Sequence, residues 1–273
     1  MIDTTAPPCA DCIVRGNAPT APSSRNGSYS YADYQLPRTA YAAGATVYYP
    51  TNATPPFAGI VYCPPLTGTE SMLAAWGPFF ASHGIVLVTM STTTTSDQVD
   101  SRDDQQRNAL NALKAENTRS GSPLNGKLST RFGVMGWSMG GGATWINAAE
   151  VSGLKSAMTL AGHNATASSA ANGTNIKCPT LIMNGATDTT ILGGMGQSSG
   201  VYDAMSDNIA KILYEVSGVG HFGWTSPTSA GTAVAELALA FQKTFLEGDV
   251  RWAKFIVQEP SNAADWATNI SVK

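Results

Sequence analysis

Along most of the chain, short apolar runs alternate with segments patterned for helix, and this alternation limits the possible folds more than any other feature. Residues 46–49, 59–63, 85–90, 132–137, 157–160, 180–183 and 212–216 read as strands. Several are continuously apolar, as strands buried on both faces must be. Residues 72–82, 103–113, 139–149 and 232–245 carry apolar side chains at helical spacing. The second of these opens with acidic residues suited to a helix N-terminus. This β-α-β-α order predicts an α/β fold, with a mostly parallel central sheet flanked by helices on both faces. Residues 1–30, rich in Pro, Ala, Ser and Asn, read as an irregular surface arm, and 91–96 (STTTTS) as a loop after a strand. No repeat or linker divides the remainder, so a single domain over 1–273 is expected.

Composition narrows the functional classes. Apolar residues make up 43% of the chain, enough for a large core, whereas charged residues make up only 13%. A net charge of −3 with no basic run gives no footing for a nucleic-acid partner. No apolar stretch approaches the ~20 residues that span a bilayer. The first residues (MIDTTAPP) have neither the basic nor the apolar segment of a signal peptide. The chain reads as cytoplasmic or as a mature form with an added Met1, and its low charge suits the second. Cys9 and Cys12 form C-x-x-C, but the nearest histidine is His83, so a small local disulfide is expected rather than a metal or redox site. Cys63 and Cys178, at strand edges, are expected to be buried free thiols.

Gly136-Trp137-Ser138-Met139-Gly140 matches G-x-S-x-G, with a strand-like run before it and a helix-like run after it. That setting gives the motif its meaning. The turn is so tight that side chains two residues either side of the serine would clash, and glycine removes them. The hydroxyl is lifted to a helix N-terminus, where partial positive charge favours an anion. Ser138 is the candidate nucleophile; the alternative is a Gly-rich turn without chemistry.

A serine hydroxyl needs a base, and the chain has three histidines. In folds with this elbow the order is Ser, then the acid, then His. His83 precedes Ser138 at a helix end and reads as structural. His163 leaves too little chain before it for the strand that carries the acid. His221 follows strand 212–216 through a short loop and is the candidate base. Asp188, just beyond strand 180–183, is the candidate acid, with Asp203 and Asp207 as rivals in a helix-patterned region. The oxyanion would need two backbone N–H donors. Met139, after the nucleophile, supplies one. Pro64 and Pro65 have no N–H, so Leu66 is the first donor available in the loop after strand 59–63.

Taken together, Gly136–Gly142 (GWSMGGG), 48–53 (YYPTNA), 66–71 (LTGTES), Trp76-Gly77-Pro78, and 179–188 followed by His221-Phe222 resemble bacterial cutinases and PET hydrolases. The similarity runs from about Arg15 to Asn269. It implies an α/β-hydrolase fold with a nine-stranded sheet and no lid domain, secretion, and hydrolysis of polyester or short acyl esters. The family's catalytic roles map onto Ser138, Asp188 and His221, with Leu66 and Met139 in the oxyanion hole. The resemblance also implies a substrate cleft lined by Leu66, Thr67, Trp137, Met139, His163, Thr190 and Phe222. No cofactor or metal is implied, and a monomer is expected.

Leu66 stands where the family usually has Tyr or Phe, and His163 where it usually has Trp. Exchanging an aromatic residue for Leu66 forgoes stacking worth about 0.5–1.5 kcal/mol. His163 is smaller and could hydrogen-bond an ester carbonyl. A cleft accepting aliphatic esters at least as well as terephthalates is expected. No cysteine follows Cys178, so the family's disulfide near the terminal strands is missing. Among other classes, dienelactone hydrolases use a Cys nucleophile. Serine peptidases of this fold usually add a capping domain. A non-catalytic binding module would not need all five catalytic positions.

Overall fold

A computed structural model describes residues 1–37, 44–190 and 194–273. Nine strands form one sheet: β1 (Tyr31–Gln35), β2 (Ala45–Pro50), β3 (Phe57–Cys63), β4 (Val86–Met90), β5 (Leu128–Trp137), β6 (Ser156–Leu160), β7 (Thr180–Gly185), β8 (Lys211–Val216) and β9 (Ala263–Thr268). Their spatial order is β1-β2-β4-β3-β5-β6-β7-β8-β9. From β4 to β8 all neighbours are parallel, while β1–β2, β2–β4 and β8–β9 are antiparallel. The expected α/β architecture is present, and all seven expected strands fall on observed ones.

Alternation along each strand sorts the core into two layers. Ala58, Ile60, Tyr62, Met135, Trp137, Leu181 and Met183 enter one apolar cluster; Phe57, Val61, Cys63, Phe132, Val134 and Ile182 enter the other. Helices α1 (Trp76–Ser82) and α6 (Thr232–Phe241) cover the first layer, and α2 (Val99–Ala115) and α3 (Met139–Glu150) the second. Two further helices, α4 (Ser169–Gly173) and α5 (Gly194–Ala204), complete the α-helices of the described residues.

The expected helix 72–82 divides into a 3-10 turn at Glu70–Leu73 and then α1. Pro78 explains the break: it lacks an N–H, and starting the helix at Trp76 places it in the first turn, where no N–H is needed. The expected helix 232–245 stops being α-helical at Phe241, and a widened turn follows, closed by Glu247 N–H donating to Gln242 O at 3.0 Å. The arm is irregular, as its composition implies, but it is fastened down. Cys9 and Cys12 form the local disulfide, and Cys63 and Cys178 are buried free thiols. Arg15 pairs with buried Glu247 at 2.6 Å, and Arg131 with Asp11 at 2.9 Å.

His83 caps α1 and serves the fold. Its Nε2 lies 2.9 Å from Arg25 O in the arm, and burial holds its imidazole down at about 4. Between the ordinary value of 6.5 and about 4, the unfolded chain binds a proton that the folded chain does not, so this contribution to stability is lost as pH falls through that window. Asp103 works in the opposite sense: burial lifts its carboxyl from 3.8 to about 6, and its contribution is lost as pH rises. Comparing His83→Gln with the wild type isolates the histidine. The wild-type melting midpoint is expected to fall more than the variant's between about pH 7 and about pH 4.5. Equal falls would place the acid sensitivity elsewhere.

Candidate active site

Parallel strands bring their C-terminal ends to one edge of the sheet, and the loops leaving β3, β5, β6, β7 and β8 meet there. They carry Leu66, Ser138, His163, Asp188 and His221 respectively. Residues far apart in sequence converge because these five strands are neighbours in the sheet.

Ser138 joins β5 to α3 with φ 56° and ψ −121°. This is a costly backbone for a residue with a Cβ. Three hydrogen bonds hold it: Ser138 N–H donates to Leu160 O (2.9 Å), and Ser138 O accepts from His163 N–H (2.8 Å) and Gly142 N–H (3.0 Å). The flanking glycines are sterically required. A Cβ on Gly136 would lie 1.9 Å from Gly140 O, and one on Gly140 would lie 2.3 Å from Cys63 O and 2.6 Å from Pro64 O. The second contact seats the elbow against the start of the Leu66 loop.

The three candidate side chains lie in hydrogen-bonded series. Ser138 Oγ lies 3.0 Å from His221 Nε2, and His221 Nδ1 lies 2.7 Å from Asp188 Oδ2. A carboxylate only accepts, so Nδ1 carries the proton and Nε2 is free to accept from the serine hydroxyl. Asp188 Oδ1 accepts from Thr190 N–H at 3.0 Å, so each carboxylate oxygen has a donor. The Asp188 side chain is fully buried, and Ser138 and His221 are nearly so. The rivals Asp203 and Asp207 are exposed, and Asp207 pairs with Lys211 at 2.9 Å. The N–H groups of Leu66 and Met139 have no hydrogen-bond partner among the described residues.

Leu66 and Phe222 stand out from the surface, 46% and 71% exposed, and Thr67 and Thr190 are also exposed. Phe222 packs edge-on against both His221 (5.4 Å) and Trp137 (6.2 Å). His163 is half-buried beside the elbow, and burial, with His221 nearby, holds its imidazole below the usual range. The cleft expectation needs correcting at Trp137, which is completely buried and cannot touch a substrate. It points to the same core layer as Met135, as the two-residue period of a strand requires. That parity was readable in the sequence. From beneath, its indole N–H donates to His221 O at 3.0 Å. Trp76 does the same for Trp224 O at 2.9 Å, a support that its place in the Trp76-Gly77-Pro78 motif does not reveal. The acid and base loops are also bonded directly, through Thr187 N–H to Val219 O at 2.9 Å.

Trp137→Phe leaves a buried carbonyl without its donor, which typically costs about 1–3 kcal/mol. The variant is expected to lose stability of that order in urea denaturation. An unchanged midpoint would mean that the indole does not support the loop.

Residues 8–271 match the PET hydrolase-like family. The chain is 33% identical over 252 residues to a bis(hydroxyethyl) terephthalate hydrolase of Streptomyces coelicolor, covering 90% of this chain and 77% of the relative. It is 32% identical over 251 residues to cutinase 1 of Thermobifida cellulosilytica, covering 90% and 91%. A cutinase of Thermobifida fusca is 32% identical over 251 residues, covering 90% and 79%. With the α/β-hydrolase sheet and the elbow of Ser138, these matches show that the chain belongs to the PET hydrolase-like family of ester hydrolases.

Proposed function

We propose that this enzyme cleaves polyesters and short-to-medium acyl esters by acyl transfer through Ser138. The observation that carries the assignment is the buried relay, with Ser138 Oγ 3.0 Å from His221 Nε2 and His221 Nδ1 2.7 Å from Asp188. His221 Nε2 takes the hydroxyl proton as Oγ bonds to the ester carbonyl carbon. The carbonyl oxygen becomes an anion facing the Leu66 and Met139 N–H groups, each such donor typically contributing ~2.7–4 kcal/mol of barrier lowering. Asp188 holds the imidazole in its tautomer and stabilises the imidazolium. The tetrahedral carbon then expels the alcohol, which takes the proton from His221. Water repeats the sequence on the acyl-enzyme: it gives a proton to His221 as it bonds to the same carbon, and that carbon then expels Ser138 Oγ, which takes the proton back from His221 and leaves the free acid.

Leu66, Thr67, Met139, His163, Thr190 and Phe222 form the acyl cleft in this reading. Phe222 offers an aromatic edge, whereas Leu66 and His163 give an aliphatic lip and a polar one. This favours aliphatic esters at least as well as terephthalates. Leu66 and Phe222, exposed beside Ser138, would be open to a polymer chain, and the Cys9–Cys12 disulfide suits an oxidising, extracellular setting. No helix among the described residues is long and apolar enough to cross a membrane.

Ser138→Ala is expected to abolish labelling by an organophosphate and to lower ester hydrolysis by at least about 10⁴-fold. Labelling that persists would refute the nucleophile. Paired assays on PET film, an aliphatic polyester and p-nitrophenyl butyrate test the cleft. The double variant Leu66→Tyr, His163→Trp is expected to raise the ratio of terephthalate to aliphatic release several-fold, and a constant ratio would remove these two residues as its determinants.

A further inference from the structure

Arg102, in the first turn of α2, is completely buried. Buried guanidinium groups are commonly paired with carboxylates. This one spends its three hydrogen bonds on main-chain carbonyls: Nη1 to Pro64 O (3.1 Å), Nη2 to Thr95 O (2.9 Å) and Nε to Asp97 O (2.8 Å). Two of these acceptors bracket Leu66. Pro64 lies two residues before it. Thr95 O also accepts from the N–H of Thr67, the residue after it, at 2.8 Å.

Thr67 has φ 62°, a left-handed conformation that a β-branched residue adopts only when its surroundings enforce it. The loop has little means of enforcing this itself. Pro64 and Pro65 have no N–H, and its internal main-chain bond is Gly68 N–H to Pro65 O at 3.0 Å. The turn that presents Thr95 O and Asp97 O is itself cross-linked. Asp97 accepts from Thr94 N–H (3.0 Å), Thr94 Oγ1 (2.7 Å) and Gln105 Nε2 (2.9 Å), and Gln105 Oε1 accepts from Thr93 N–H (2.6 Å). A continuous bonded path therefore runs from α2 through this turn to both sides of Leu66.

We propose that Arg102 is a positioning residue for the oxyanion donor, its planar fork fixing the Leu66 N–H in the orientation that the developing anion requires. The proposal rests on the ester-hydrolase reading above. A preorganised donor contributes only while its aim is kept, and misplacements of about 1 Å can cost about 10²-fold in rate. The Arg102 charge interacts with the nearby Asp97 carboxylate, so its contribution to the loop lies in its hydrogen-bond geometry alone.

The test uses Arg102→Lys, which keeps the charge and loses the fork, and Asp97→Ala, which loosens the turn from a partly exposed position. For both, kcat and KM on p-nitrophenyl butyrate are measured per active site, counted by complete organophosphate titration, beside the wild type and Ser138→Ala. Arg102→Lys is expected to lower kcat about tenfold or more and Asp97→Ala about threefold, with KM changed by less than about threefold. Inhibition by an alkyl boronic acid, which mimics the tetrahedral state, should weaken in proportion to kcat. A purely structural role would lower the titratable fraction and the melting midpoint but leave kcat per site intact, and that result overturns the proposal. If Arg102→Lys fails to fold, Asp97→Ala decides alone, an unchanged kcat per site again being fatal. A wild type without esterase activity, or a Ser138→Ala variant that keeps it, would sink the ester-hydrolase reading and this proposal with it. Normal wild-type activity with unaffected Arg102 and Asp97 variants would sink only the proposal.

Discussion

The backbone of Ser138, at φ 56° and ψ −121°, cannot exist without the structure around it. Its N–H is tied to the end of β6 and its carbonyl to the His163 loop and the first turn of α3. Glycine at 136 and 140 allows the chain to double back within van der Waals range of itself and of the β3 loop. The sheet order, the helix direction and the approach of the Leu66 loop all meet at this point. A shift of β3 relative to β5 would move Cys63 O and Pro64 O into or away from Gly140, and with them the loop that carries Leu66.

From that fixed point the candidate site divides into the groups proposed to react and the groups that hold them. The three members of the relay come from three different strand ends, so none is positioned by local sequence alone. Asp188 is oriented by Thr190, the His221 loop by two indoles, and the Leu66 loop is gripped by a buried guanidinium. These supports act through main-chain groups. Their partners therefore leave little trace in side-chain motifs.

This division explains what could be read from the chain. The inner strands were legible because both faces are buried, leaving continuous apolar runs. The edge strands β1 and β9 were not, since their residues are half-exposed and polar and their pairing supplies the order. Ser138, Asp188 and His221 could be picked out as candidates because chemistry restricts residue type and the fold restricts their order, and the structure brings the three within hydrogen-bonding distance. The resemblance places Trp137 in the cleft, but strand parity sends it inward. Arg102 carries no signal, and the Trp76-Gly77-Pro78 motif does not show what Trp76 supports, because what these side chains do is defined by which distant carbonyl they reach.

The two indoles beneath the base loop have a consequence for how this enzyme loses activity. Trp137 belongs to the central strand β5 and Trp76 opens α1, and both lie in the same apolar layer. The loop bearing His221 is thus bonded to residues that become exposed only when the core itself opens. Loops that carry catalytic groups are commonly among the least stable cooperative units of a protein. Two bonds tie this loop to the innermost unit, so thermal inactivation is expected to track global unfolding more closely than it would for a loop held only at the surface.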